Sequence, residues 1–249
     1  ELSVGSRTEV GPRKMNQDHH GSWPELGLYV VADGMGGHNG GEVASHLAVE
    51  TIYAFIEESA RTADITWPFG LETKNSIDLN RLTTAVRLAN RKIYSEGSRA
   101  PELSGMGTTV VAALVAGDKV SIVSVGDSRV YRFRNGSLEQ LTSDDTWLAS
   151  VLGAKEAEDA DPTHPLRHVL TSVVGTKDDL KPESREEDLK IGDTLVLCTD
   201  GIHGRLDSSA LTTLLKSAGT ASDRADILVS EAIERGTTDN ATALVITVS

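Results

Sequence analysis

Four aspartates each stand where an apolar run meets a turn: Asp33 after LYVVA, Asp127 after SIVSVG, Asp200 after LVLCT, and Asp239 just before NATALVITV. If those runs are β-strands, four carboxylates from distant parts of the chain converge on one sheet edge. Close carboxylates repel, and one of a crowded set stays protonated unless a cation neutralises it. Oxygen donors select hard divalent ions, Mg2+ or Mn2+. The chain has a single cysteine and no HExxH string, so nothing offers zinc the usual sulfur and nitrogen donors. The chemistry this set suggests is two-metal hydrolysis. Each aspartate taken singly is an ordinary turn residue that bonds its own backbone, so the argument rests on the set.

The elements that must position them follow from periodicity. A strand is expected over residues 27–32. It runs into Asp33-Gly34-Met35-Gly36-Gly37-His38-Asn39-Gly40-Gly41, where glycine density lets backbone approach an ion closely. A phosphate nest is the rival, but no GxxxxGK[ST] string is present. Val43, Leu47, Ile52, Phe55 and Ile56 recur at helical spacing, and so do Leu82, Ala85, Val86, Ala89 and Ile93, with Gly97 as the stop. Residues 60–78 read as a surface connection. Thr108 to Leu141 reads as a β-meander, with a two-residue hairpin turn at Asn135-Gly136. Residues 142–180 lose periodicity and read as a functional flap with short helical pieces. A strand at 194–199, helices near 208–217 and 223–235, and a strand at 241–248 close the pattern, with Asp207 and Ser222 as helix caps. Strands grouped in the middle with helices on either side predict an α+β fold of two antiparallel sheets packed together and covered by helices.

At 249 residues the chain fits one large domain. Its net charge of −13, from 24 basic and 37 acidic side chains, weighs against nucleic acid and anionic membrane as partners. No apolar run approaches the roughly 18 residues of a membrane span, and no charged-then-apolar leader opens the sequence. A cytoplasmic protein is expected. The sequence opens on Glu1 rather than Met, which leaves room for residues upstream. Cys198, inside an apolar run, reads as a small buried hydrophobe rather than a nucleophile.

Arg13, Asn16-Gln17-Asp18, the DGMGG string, Gly105-Met106-Gly107-Thr108-Thr109, Val125-Gly126-Asp127-Ser128-Arg129, Thr199-Asp200-Gly201 and Asp239-Asn240-Ala241-Thr242 occur in this order. Together they resemble the motifs of metal-dependent serine/threonine protein phosphatases of type 2C, in the bacterial branch. The resemblance spans nearly the whole chain. It implies a four-layer α-β-β-α sandwich, two packed mainly antiparallel sheets flanked by helix pairs. It also implies one catalytic domain over 1–249 with a flap near 143–170. The implied activity is hydrolysis of phosphoserine and phosphothreonine monoesters, in line and without a covalent intermediate, by water activated between two ions.

Carried over residue by residue, the resemblance makes Asp33 the carboxylate bridging two Mn2+ or Mg2+ ions, with the Gly34 carbonyl on the second. Asp200 and Asp239 would ligate the first, Asp18 would act through water, and Asp127 with Asp200 would hold a third, weaker ion. Arg13 would grip the substrate phosphate, so Arg13 and Asp33 are the implied catalytic pair. Two positions depart from the pattern. Gln17 stands where Glu is common, and Met35 stands where eukaryotic relatives carry a histidine acid. The acid is then left among metal-bound water and flap groups, with His38, His164 and His168 as candidates and none assigned. His19 and His20 are expected on a strand surface, and Trp147 and Leu148 in core packing. Implied partners are phosphorylated proteins and an antagonist Ser/Thr kinase, for a monomer that binds neither nucleic acid nor membrane. An inactive regulatory module of the same fold is the alternative, although such a module would be expected to lose a metal aspartate. A simple acidic cation binder would cluster its ligands in a DxDxDG loop.

Overall fold

The computed structural model describes residues 1–37, 40–62, 66–153, 164, 166, 169–217 and 219–249. The apolar runs become strands because both of their faces are buried. In β3 (Leu28–Met35), Leu28, Val30 and Ala32 pack against Ile52 of α1 (Gly40–Arg61) and Val86 and Ile93 of α2 (Ile77–Arg99). The alternate residues Tyr29 and Val31 pack against Leu195 and Leu197 of β10 (Thr194–Cys198) and Leu244 and Ile246 of β11 (Ala241–Val248). Val196, Cys198, Ala243 and Val245 face away from that central core, towards α5 (Ser208–Ser217) and α6 (Ala221–Glu234). Period-2 alternation thus feeds three cores stacked between four layers, helices–sheet–sheet–helices.

One sheet has the order β2-β3-β5-β6-β9, with β4 (Gly107–Thr108) paired to β3. Its other members are β2 (Asp18–Trp23), β5 (Val110–Ala116), β6 (Lys119–Val125) and β9 (Glu183–Asp188). The second has the order β1-β11-β10-β7-β8, adding β1 (Leu2–Glu9), β7 (Arg129–Arg134) and β8 (Ser137–Gln140). Every pairing is antiparallel. The hairpin turn is where sequence placed it, with Asn135 and Gly136 both at positive φ, 52° and 79°.

Several expectations change. The 108–141 stretch is not one meander: β5 and β6 belong to the first sheet and β7 and β8 to the second, so the chain changes sheets at Gly126–Ser128. Helix α2 runs through Gly97 to Arg99, because a glycine there lets the following turn fold back, with Leu103 O only 3.2 Å from where a Cβ would stand. Helix α6 is capped by Thr220, in a capping box with Asp223, rather than by Ser222. Asp207 does cap, accepting from Ala210 N at 2.8 Å. Leu148, on α3 (Trp147–Leu152), is buried as expected, but Trp147 is 42% exposed because its helix turns it outward. No helix among the described residues is long and apolar enough to cross a membrane.

Candidate active site

Asp18 opens β2 and stands opposite Asp33 in the β2–β3 register. Asp200 begins the short helix α4 (Asp200–His203) directly after β10, and Asp239 precedes β11. Asp127 lies at the crossover between sheets. The carboxylates therefore gather not on one sheet's edge but at one end of the sandwich, two from each sheet and one between them.

Their electrostatics report the crowding. Burial, then repulsion from Asp18, Asp200, Asp127 and Asp239, holds Asp33 well above the ordinary carboxylate range. Burial raises Asp18 to about 7, with the Thr242 and Thr199 hydroxyls pulling it down and Asp200 and Asp239 pushing it up. Asp127 also rises to about 7, through burial and then the charges of Asp200 and Asp144. Such a set lowers its free energy by taking up protons or cations.

Asp18 is held from beneath. Its Oδ2 accepts from Thr242 Oγ1 at 2.6 Å and Thr199 Oγ1 at 2.9 Å, while its Oδ1 is buried and meets no donor among the described residues. Thr242 in turn shares a 2.7 Å hydrogen bond with Thr8, to which Asn16 Nδ2 donates at 2.8 Å. These threonines carried no role in the sequence reading, since a threonine in a strand is equally well explained by β-propensity. Asn240 is a second missed support: its Oδ1 accepts from Gln17 N, and its Nδ2 donates to the carbonyls of Val10 and Met15. It thereby ties the Arg13–Gln17 turn to β11.

Two glycines set the backbone here. A Cβ on Gly34 would lie 1.9 Å from Gly41 O, so the end of β3 rests directly on the first turn of α1. A Cβ on Gly201 would lie 1.8 Å from Asn240 O, the equivalent contact in the other sheet. Thr109 joins the halves: its Oγ1 accepts from Asp33 N at 3.0 Å and shares a 2.7 Å bond with Ser128 Oγ, beside Asp127.

Arg13 docks on Asp239, Nη2 to Oδ2 at 2.6 Å, and its Nε donates to Thr238 O at 2.9 Å. Next to Asp127, Asp145 Oδ2 accepts from Gly126 N and Asp145 O accepts from Thr171 N. His203, not singled out by sequence, sits with Nε2 2.9 Å from Asp127 O. Of the candidate acids, His38 and His168 lie outside the described residues, and His164 Nδ1 accepts from Leu166 N within its own turn. His19 and His20 lie on β2, and Met35 faces Gly107 in the β3–β4 pair. Cys198 is fully buried and its thiol is pushed up to about 12 by burial, which removes it as a nucleophile.

These residues fit a divalent cation. The donors are oxygen throughout, and Asp18 Oδ1 is buried without a partner among the described residues. Among the described residues no three His, Cys, Asp or Glu side chains close into a ready-made cage. Mg2+ keeps several waters and takes only one or two carboxylates directly, so an all-oxygen set with no closed cage suits a hydrated hard ion and not tetrahedral zinc.

A four-layer sandwich that gathers buried, mutually repelling carboxylates at one end fits the class of metal-dependent hydrolases. The model of the family described as protein phosphatase 2C matches residues 11–232, and the chain belongs to that family. It is a metal-dependent serine/threonine protein phosphatase, a phosphoric monoester hydrolase. The serine/threonine phosphatase stp of Listeria monocytogenes is 32% identical over 245 residues, 96% of this chain and 93% of that protein. PstP of Mycobacterium tuberculosis is 33% identical over 220 residues, 88% of this chain and 40% of that longer protein. The crystal structure of the M. tuberculosis phosphatase PstP/Ppp superposes with a TM-score of 0.83 at 30% identity, covering 100% of this chain and 99% of that one. A structure of a PstP catalytic domain in complex with two manganese ions gives 0.82 at 28% identity, covering 100% and 99%.

Proposed function

We propose that this end of the sandwich binds two divalent ions, Mn2+ or Mg2+, and hydrolyses phosphoserine and phosphothreonine in proteins. Asp33 and the Gly34 carbonyl, with Asp200 and Asp239, would hold the two ions, Asp18 would act through water, and Asp127 would take part in a third, weaker site. The observation that carries this reading is the mutual destabilisation of Asp18, Asp33 and Asp127 at one buried end, with Asp18 Oδ1 left without a donor. When bound, the ions supply a water activated for attack at neutral pH and neutralise charge on the phosphate.

The chain's own groups do the rest. Thr199 and Thr242 fix the Asp18 carboxylate through Oδ2, which leaves its other oxygen without a donor among the described residues. Arg13, whose fork docks on Asp239, would offer a planar bidentate donor to the phosphate oxygens. Asp145 holds the flap base against the Gly126–Asp127 loop, so whatever the flap recognises is placed beside the reacting group. The chain acts as a single catalytic domain and a monomer, in the cytoplasm, opposing a Ser/Thr kinase; the family match over residues 11–232 supports the one domain and the net charge of −13 the monomer.

The test is phosphate release from a phosphothreonine peptide with Mn2+, with chelator, and in Asp239→Asn. Release that needs both the metal and Asp239 is expected. Metal binding without release from any of several phosphopeptides would favour the inactive module instead.

A further inference from the structure

Away from the carboxylates, β2 and α1 carry a histidine pair. His19 follows Asp18 in β2 and so projects from the opposite face of the strand. Its Nε2 lies 3.3 Å from Nδ1 of His46 on α1, and the two rings stand 4.7 Å apart at 80°. The other nitrogen of His46, Nε2, is 3.1 Å from Glu50 Oε1, one helical turn further on. With Glu50 accepting the Nε2 proton, neutral His46 presents the Nδ1 lone pair to His19.

Two Zn–N bonds of about 2.0–2.1 Å at the tetrahedral angle separate their nitrogens by roughly 3.3 Å, the spacing found here. We propose that His19 and His46 form a two-histidine site for a borderline divalent transition metal, zinc foremost. Glu50 serves as the outer carboxylate that orients His46, and water fills the remaining positions. The site is open, with the His46 side chain 51% exposed. His20 takes no part, since its ring turns to Ser6 Oγ at 3.1 Å.

The site is chemically distinct from the carboxylate end, because imidazole nitrogen suits zinc whereas Mg2+ prefers oxygen. A bound ion would clamp β2 to α1 close to the contact where Ser45 Oγ already donates to Gln17 O at 2.6 Å. It would thereby stiffen the strand that opens with Asp18.

The experiment is a calorimetric Zn2+ titration in excess Mg2+ of wild type, His19→Gln, His46→Gln and Glu50→Gln, with melting curves and phosphopeptide hydrolysis alongside. Wild type should bind one more Zn2+ than either histidine variant, and zinc should raise the melting temperature of wild type but of neither histidine variant. In Glu50→Gln the same ion should bind about tenfold more weakly. Mg2+-supported hydrolysis should be equal in all four proteins, so the result stands apart from the carboxylate site. Identical zinc stoichiometry and affinity in wild type and both histidine variants would overturn the proposal and leave a plain imidazole–imidazole hydrogen bond.

Discussion

Asp18→Asn should make the metal-free protein more stable while weakening it as an enzyme. Asparagine keeps the carbonyl oxygen that Thr199 and Thr242 hold and puts an amide where Oδ1 is buried without a donor. What it removes is a buried charge. Asp18 titrates at about 7 in the fold against an ordinary value of 3.8. Between those values the folded state holds a proton that the unfolded state has lost, so stability falls as pH rises through that window and is flat above it. Some 3 pH units at 1.36 kcal/mol each give about 4 kcal/mol at about pH 8. This is an upper figure, since neighbouring carboxylates share the same protons. At about pH 5 the same arithmetic leaves about 2 kcal/mol. The assay is urea unfolding of both proteins in chelator at the two pH values. Asp18→Asn should lead by about 2–4 kcal/mol at the higher pH and by roughly half that at the lower. Saturating Mn2+ should shrink or reverse the lead, because the cation stabilises the charged wild-type site. A lead that is the same at both pH values, or no lead at all, would refute the account of Asp18 as a strained buried carboxylate.

Gly34→Ala places a methyl 1.9 Å from Gly41 O, so the β3–α1 contact must open. A loss of about 1–3 kcal/mol is expected by thermal melting, with phosphatase activity falling further than stability. Asp193, whose side chain is fully buried, accepts from Arg134 Nε and Nη2, both at 2.6 Å, and from Lys190 N at 2.8 Å. Asp193→Ala should cost about 1–2 kcal/mol in urea unfolding, from the hydrogen bonds lost at a buried acceptor, since Arg134 is partly exposed and keeps its bond to Asp188 O. Cys198 should resist iodoacetamide in the native protein and react at once in urea, since both burial and a thiol raised to about 12 block the thiolate. Alkylation of folded protein would show that β10 opens far more readily than its packing allows.

Runs such as LYVVA and LVLCT announced their strands because burial on both faces leaves no room for polar residues. The aspartates at their ends were legible for the same reason, since the change from apolar to acidic marks where the core stops. Strand β9, Glu-Ser-Arg-Glu-Glu-Asp, carried no such signal. It is an edge strand beside β6, held by ion pairs such as Lys119–Glu186 at 3.0 Å and Arg132–Glu187 at 2.9 Å, so its sequence looks like a solvated loop. The change of sheets at Gly126–Ser128 was equally hidden, because strand periodicity says nothing about which partner a strand finds. The Arg13–Asp239 pair joins residues 226 positions apart and could be seen only in three dimensions.

The pairing of β1 with β11 bears on how the molecule is made. Glu9 finds its partner at Ala241, 232 residues later, so among the described residues β1 meets its sheet neighbour only once β11 has been synthesised. At about 5–20 residues per second that wait is on the order of 10–50 s. Throughout it, Arg13 and Asp18 have been synthesised but Asp239 has not. On the role proposed for Asp239, a nascent chain is silent towards phosphoproteins until synthesis has passed through that motif.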